Sequence, residues 1–523
     1  MKPSAIITAS RVGAQSCCAQ GHARPKGRSK TAPLLFALFC AVAAPADTLL
    51  VKNALLITVA PGQDEAFWGY LTVGADGRIT AVEPGDPPTA LKADRVVDAA
   101  GRFVAPGFIS AHSHLFTSPL RGLGHTETLY GWGRANSRLN KHANADDAYW
   151  FSLHGSLDFL RNGITTAYDF TLAPTVGGAA VGLGEAVPPP VLRPGPFEEN
   201  QVKSKVDAGL RFVNSVSLPR IGTKDEIIAR FDRLFRYVES TYGANPLFLR
   251  MAISGGLQRA PTKETAYLEA EVMKKYGVLN QAHFLESPER VYEQQAKFYW
   301  YEEAGALGPN FIFGHFIQTT PDIVARAAKA GASMSWQPTS NSRLASGVAD
   351  IPLYRSFGMK VAVGLDDQSC TDLSDPFQNL RIGLALIRTK YKDAKALAVR
   401  EMLYLHTLGS AETLQITDKV GSLEKGKFAD FLIVDQRSPD TGPLHDPVAT
   451  YVLACGLRNL KQVYVGGKLV ADGTKLLTFD ESKVRAEVDA RMARLEAAAA
   501  AEEKRAAEAG QPHPLAIAMG GAK

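Results

Sequence analysis

From residue 103 onward the chain repeats one rhythm that few folds accept: a short apolar run, then an amphipathic stretch. Eight such runs stand at 103–111, 164–170, 210–218, 247–253, 279–284, 311–316, 332–336 and 361–366. Helix-like segments separate them, among them 147–161, 224–241, 262–276, 287–304 and 321–330. Runs of that length, buried on both faces, suit parallel strands, and the segments between them suit crossover helices. Eight strands alternating with helices predict an α/β chain closed into a (β/α)8 TIM-type barrel, with a doubly wound open sheet as the alternative. A barrel also predicts that chemistry gathers at the C-terminal ends of its strands.

The flanks have another texture. Residues 47–105 read as short strands and turns, with Asp76-Gly77 and Pro84-Gly85 as turn signals. The same texture returns over 417–480, where Gly466-Gly467 marks a hairpin. Two β-rich flanks around one barrel (106–416) predict a small composite β-sandwich domain built from both chain ends. Residues 481–523 begin with an Ala-, Glu- and Arg-rich helical tail of little catalytic promise. The Gly- and Pro-rich stretch 171–196 reads as a long loop after the second strand, either a lid or a surface insertion.

Charge removes several functional classes. The 58 Lys and Arg outnumber the 53 Asp and Glu, but Lys2, Arg11, Arg24, Lys26, Arg28 and Lys30 lie in an acid-free leader. Without that leader the chain is near neutral, so no basic surface calls for nucleic acid. A composition of 46% hydrophobic and 21% charged residues is that of a globular protein. Residues 1–46 read as a cleavable signal: a basic cluster, an apolar run over 33–44, then Ala44-Pro45-Ala46 as the small-residue cleavage site. No twin arginine is present, and Phe39 before Cys40 speaks against a lipoprotein site. The expectation is a periplasmic or secreted protein with no membrane association after processing, with a disordered N-terminal tail as the alternative. Cys370 and Cys455 are then the remaining cysteines, enough for one bridge but not for a disulfide framework.

Of the 11 histidines, four end predicted strands. His112 and His114 close the first; alternation turns both rings to one face, the spacing a metal needs from a strand. His283 ends the fifth strand, His315 the sixth and Asp366 the eighth. Such a set at four strand ends predicts a catalytic metal. His125, His142 and His154 read as surface or helix residues.

Several motifs resemble the amidohydrolase superfamily, in the branch of triazine hydrolases, guanine deaminase and S-adenosylhomocysteine deaminase. They are Val104-Ala105-Pro106-Gly107-Phe108, His112-Ser113-His114, His283-Phe284-Leu285-Glu286, Gly314-His315, Pro338-Thr339-Ser340-Asn341, 344–347 and 421–430. The resemblance covers about 48–475. It implies the barrel with its composite sandwich, and one divalent metal ion held by His112, His114, His283 and Asp366. A single ion is implied because the fourth strand carries no lysine to bridge a second one; zinc is the default and iron the alternative. It further implies that Asp366 takes a proton from the attacking water. His315 would polarise the electrophile, and Glu286 would carry a proton to the leaving nitrogen or else orient His283. Ser340 and Asn341 would shape the pocket floor. Tyr130, Trp132 and Trp336 are candidates for an aromatic wall. Asp367 either hydrogen-bonds the site or is solvated.

The pattern also breaks. Deaminases of this branch place a substrate-binding glutamate downstream of the tryptophan; here Trp132 is followed by Arg138-Leu139-Asn140-Lys141-His142. The family's Ser-His-Cys-Pro reads Ser335-Trp336-Gln337-Pro338, and its Gly-Thr-Asp-Gly reads Gly364-Leu365-Asp366-Asp367. The hydrolytic residues stay while the substrate-reading positions change. The leading expectation is a hydrolase of non-peptide C–N bonds (amide, carbamate or urea type) in a small molecule. The alternatives are a deaminase or dechlorinase of a nitrogen heterocycle, and a non-catalytic periplasmic binding protein. A homo-oligomer is compatible with the sequence.

Overall fold

The computed structural model describes residues 48–177, 189–219, 221–473 and 475–509. The expected leader, and the middle of the expected loop at 171–196, lie outside the described residues.

The eight predicted runs form eight parallel strands. They are β1 (Phe108–His114), β2 (Ile164–Phe170), β3 (Arg211–Ser217), β4 (Phe248–Gly255), β5 (Leu279–Phe284), β6 (Phe311–His315), β7 (Ser333–Trp336) and β8 (Val361–Val363). Each pairs with the next along the chain. Just past β8, Asp366 and Asp367 pair in parallel with Ser113 and His114 of β1, which closes the ring. Closure needs a close approach. A Cβ on Gly364 would lie 2.7 Å from the His112 backbone and Cβ, so only glycine lets the eighth strand reach the first here.

The strands are apolar because both faces are covered. Phe108, Phe212, Met251, Phe311, Met334 and Val363 pack in one core with residues of the outer helices. Those helices begin at side-chain caps: Asn144 with Asp147 opens Ala145–Arg161, and Thr223 with Glu226 opens Lys224–Tyr242.

The first predicted run, 103–111, divides. Phe103–Pro106 belongs to the outer sheet, and the barrel strand starts only at Phe108. The outer sheet is mixed and nine-stranded, and both chain ends build it. Phe103–Pro106 pairs parallel to Leu49–Leu56 on one side and antiparallel to Phe431–Val434 on the other. It has its own apolar cluster, with Val51, Leu56, Leu71, Phe431 and Tyr464. Asp430, the last residue of the 421–430 motif, ties it to the barrel. Its buried carboxylate takes Nε and Nη2 of Arg211 on β3 at 2.7 and 2.8 Å, and the Gly466 N–H at 2.8 Å.

The tail forms one helix, Glu481–Glu508. It lies against the helices Leu129–Asn140 and Ala145–Arg161 through ion pairs that include Arg138–Glu503 and Arg491–Asp146. At 171–196 the described ends form a small hairpin, Thr175–Val176 with Val191–Leu192. Cys370 and Cys455 are both buried and free, so the bridge their count allowed is absent. No helix among the described residues is long and apolar enough to cross a membrane.

Candidate metal centre

Strand alternation sends His112 and His114 from the end of β1 to the same side, where they meet His283 at the end of β5. The three Nε2 atoms lie 3.1 Å (His112–His283), 3.3 Å (His112–His114) and 3.0 Å (His114–His283) apart. Asp366 Oδ1 completes the group, 3.3 Å from His112 Nε2 and 3.6 Å from His114 Nε2. A tetrahedral ion with bonds of about 2.0–2.2 Å sets its donors roughly 3.3–3.6 Å apart, so these residues fit a small divalent cation.

The protonation pattern suits the same occupant. Burial, followed by the neighbouring imidazoles, pushes His114 and His283 well below the usual histidine range, so both stay neutral. Neutral imidazole is the form that ligates. Burial alone would raise Asp366, but His315, His112 and His114 outweigh it and hold the carboxyl well below its ordinary value. His112 Nδ1 donates to Gln281 Oε1 at 2.5 Å, which leaves its Nε2 lone pair facing the centre. Gln281 Nε2 in turn donates to the Ala111 carbonyl at 2.9 Å. The Phe170 ring stands 4.5, 4.8 and 4.6 Å from the rings of His112, His114 and His283.

His315 and Glu286 form the other half of the cluster. His315 Nε2 is 3.8 Å from Asp366 Oδ2 and 3.7 Å from Glu286 Oε2. Both His315 Nε2 and Glu286 Oε2 are buried and have no hydrogen-bond partner among the described residues. Asn341 Nδ2 donates to His315 Nδ1 at 2.9 Å, so the ring carries its proton on Nε2 and aims it into the cluster. Burial lowers His315 to about 3. Burial, and then Asp366, raises Glu286 well above the ordinary carboxylate range. A Cβ on Gly314 would come within 2.9 Å of the His112 ring, so the residue before His315 must be small. His315 and Asp366 both adopt the left-handed backbone region, with φ of 67° and 68°. Bulky side chains rarely sit there, and such conformations concentrate at functional sites.

The weaker candidates separate. Ser340 does not merely shape a floor: its Oγ donates to Asp366 Oδ2 at 2.5 Å. Asn341 orients His315, as described. Trp132 is buried against Leu344 and Cys370, its Nε1 donating to the Ser369 carbonyl at 3.0 Å. Tyr130 is also buried, and burial raises its phenol above the ordinary value against the opposing charges of Arg259 and Arg290. Trp336, by contrast, is no part of a wall; it is fully buried in the barrel core. Asp367 is not solvated: it is buried, with Oδ2 3.6 Å from His114 Nε2. His125 is exposed, His142 pairs with Glu502, and His154 bonds Ser118. Sequence reasoning missed Gln281 and Phe170. Gln281 had a signal, since it sits two residues before His283 and so shares its face. Phe170 had none beyond its place at the end of β2.

A parallel barrel with three imidazoles and a carboxylate converging at its C-terminal mouth defines a metal-dependent hydrolase barrel. The chain belongs to the amidohydrolase family, whose pattern matches residues 103–470. A 5-methylthioadenosine/S-adenosylhomocysteine deaminase of Syntrophobacter fumaroxidans is 27% identical over 461 residues, covering 84% of this chain and 96% of that protein. A Bacillus cereus protein of the same description is 25% identical over 443 residues, covering 83% and 96%. Among solved structures, an adenosine deaminase from Xanthomonas campestris with bound zinc superimposes with a TM-score of 0.73 at 21% identity, over 86% of this chain and 98% of that one. An atrazine chlorohydrolase from Arthrobacter aurescens TC1, complexed with zinc, gives 0.72 at 20% identity over 85% and 100%. The non-catalytic binding-protein alternative finds no support in these likenesses.

Proposed function

We propose that this protein hydrolyses a C–N bond in a small non-peptide molecule. One observation carries the reading: Glu286 Oε2 and His315 Nε2 are buried, without a hydrogen-bond partner among the described residues and 3.7 Å apart, beside a carboxylate that faces three imidazoles. Buried polar atoms without partners are costly, and a substrate that supplies them removes the cost. His112, His114, His283 and Asp366 would hold one divalent ion, with zinc as first choice from the donor set and iron as the alternative. Such an ion supplies Lewis acidity, which makes water a nucleophile near neutral pH. Glu286 accepts a proton from the attacking water at Oε2 and passes it to the departing nitrogen, which leaves poorly as an anion. His315 donates its Nε2 proton in a hydrogen bond to the oxygen, or the ring nitrogen, that gains charge.

Two substrate classes follow. Amides, carbamates and ureas fit the changed substrate-reading stretch, where Lys141 and Arg138 pair with Glu502 and Glu503 of the tail helix rather than supplying a carboxylate. Deamination or dechlorination of a nitrogen heterocycle is favoured by the described activities of the relatives. Zinc-loaded protein assayed against amides, carbamates, ureas and aminoheterocycles, with ammonia and chloride release read in parallel, separates them. No turnover in any class would overturn the reading. Export rests on the leader sequence: protein recovered from the native host should begin near Asp47 by mass spectrometry, and an intact leader on cytoplasmic protein would refute it.

A further inference from the structure

We propose that Asp169 and Lys205, a buried ion pair outside the ligand set, are positioning residues that hold His114 in its metal-binding orientation. The inference rests on the metal-centre reading. Asp169 stands near the end of β2, and Lys205 comes from the helix Phe197–Ala208 that follows the loop. Lys205 Nζ lies 2.5 Å from Asp169 Oδ2, and both side chains are essentially shut off from solvent.

The other carboxylate oxygen does the positioning. Asp169 Oδ1 accepts the backbone N–H of Leu115, the residue after His114, at 3.0 Å. That N–H opens the short 3-10 helix Leu115–Leu120, whose N-cap, His114, supplies no side-chain bond to it. First-turn N–H groups have no partner inside their own helix. Here the neighbouring strand provides one.

Support is needed at this point because the β1–β2 ladder, irregular between Ser110 and Ser113, has its last pair at Ser113–Asp169, one residue short of His114. Side chains take over where the ladder falters. Ser113 Oγ donates to the Tyr168 carbonyl at 2.7 Å, Thr117 Oγ1 donates to the His114 carbonyl at 2.7 Å, and Asp169 takes Leu115. The next residue of β2, Phe170, stacks on the His114 ring at 17°. His114 is thus gripped by its backbone on both sides and by its ring face.

Stability alone does not explain the ion pair. Desolvating two charges offsets most of their attraction, and an apolar pair of similar volume is often as stable. What an apolar pair lacks is an acceptor for the Leu115 N–H. Lys205 lets that acceptor be a carboxylate without leaving its charge unpaired in a buried place.

The test separates acceptor from charge. Asp169→Asn/Lys205→Met removes both charges and keeps an acceptor. Asp169→Leu/Lys205→Met and Asp169→Ala/Lys205→Met remove both, and two such versions are made so that a folding failure of one leaves the test standing. Zinc dissociation constants are measured by chelator competition, visible spectra with cobalt, and melting temperatures without metal. Expected is a loss of about 10–100-fold in zinc affinity, with altered cobalt bands, for the acceptor-free proteins. The Asn version should stay close to wild type. Equal zinc affinity and unchanged cobalt bands in all variants, with only the melting temperature moving, would overturn the inference and make the pair structural. Should wild type itself bind neither ion, the metal-centre reading fails first and this inference with it.

Discussion

On the side of β1, β5 and the β8 extension, the polar atoms crowd together. Three Nε2 atoms meet within 3.3 Å, and their supports are occupied: His112 is held by Gln281, Asp366 by Ser340. Around His315 and Glu286 the spacing opens to 3.7 and 3.8 Å, and the inward-facing atoms have no partner. The crowded side is arranged for a spherical charge already in place, and the open side for a molecule that comes and goes. Three imidazole nitrogens crowded about one point ask for a cation, whereas a donor facing a carboxyl across an open gap asks for a substrate with both an acceptor and a basic leaving group.

The largest effect should come from the crowded side. Asp366→Ala removes a donor and leaves three lone pairs facing one another. Bound metal by elemental analysis and turnover should both fall to background, and a variant that kept its metal would merge the two halves into one.

Next comes the open side. Glu286→Gln should retain the ion but lose turnover by ~10²–10⁴-fold, the usual worth of general acid–base catalysis. Glu286 must begin ionised to take the water's proton. Because burial, followed by Asp366, raises its pKa, kcat/KM should fall as pH drops through a value above the ordinary carboxylate range. An acid limb at the ordinary value would argue for a different base. A third variant, His315→Phe, should cost ~10²–10³-fold in kcat, like loss of one oxyanion donor, again with metal retained. With its own pKa at about 3, His315 stays neutral throughout the working range and adds no limb near neutrality. Loss of metal in this variant would place His315 on the crowded side.

The smallest effect is expected away from both regions. Arg138 pairs with Glu496 and Glu503 on the tail helix, at the surface. Partly exposed pairs contribute about 0.2–1 kcal/mol, so Arg138→Ala should shift thermal stability slightly and leave metal content alone. A marked rise in KM would instead show that the tail helix braces the wall carrying Tyr130 and Trp132.

How far this plan could be read along the chain depended on the range of each interaction. The eight apolar runs were legible because strand burial is written locally, residue by residue. His112 and His114 were legible together because alternation fixes their common face, and His283, His315 and Asp366 because each ends a run. The division of 103–111 at Gly107 was not, since both pieces are equally apolar; what parts them is pairing, one with 431–434 and the other with β2.

Periodicity thus determined, from sequence alone, the barrel class, the two-ended second domain and the strand ends at which His112, His114, His283, His315 and Asp366 stand. Tertiary structure decided what holds those side chains in place. Gln281 on His112, Asn341 on His315, Ser340 on Asp366 and the Lys205–Asp169 pair behind His114 all come from other elements, from 26 to 169 residues away for the first three. Trp336 turned to the core although its strand ends at the mouth. A side chain's partner across a barrel depends on strand tilt, stagger and closure, and these are settled by the packing of the whole ring, not by any local stretch of chain.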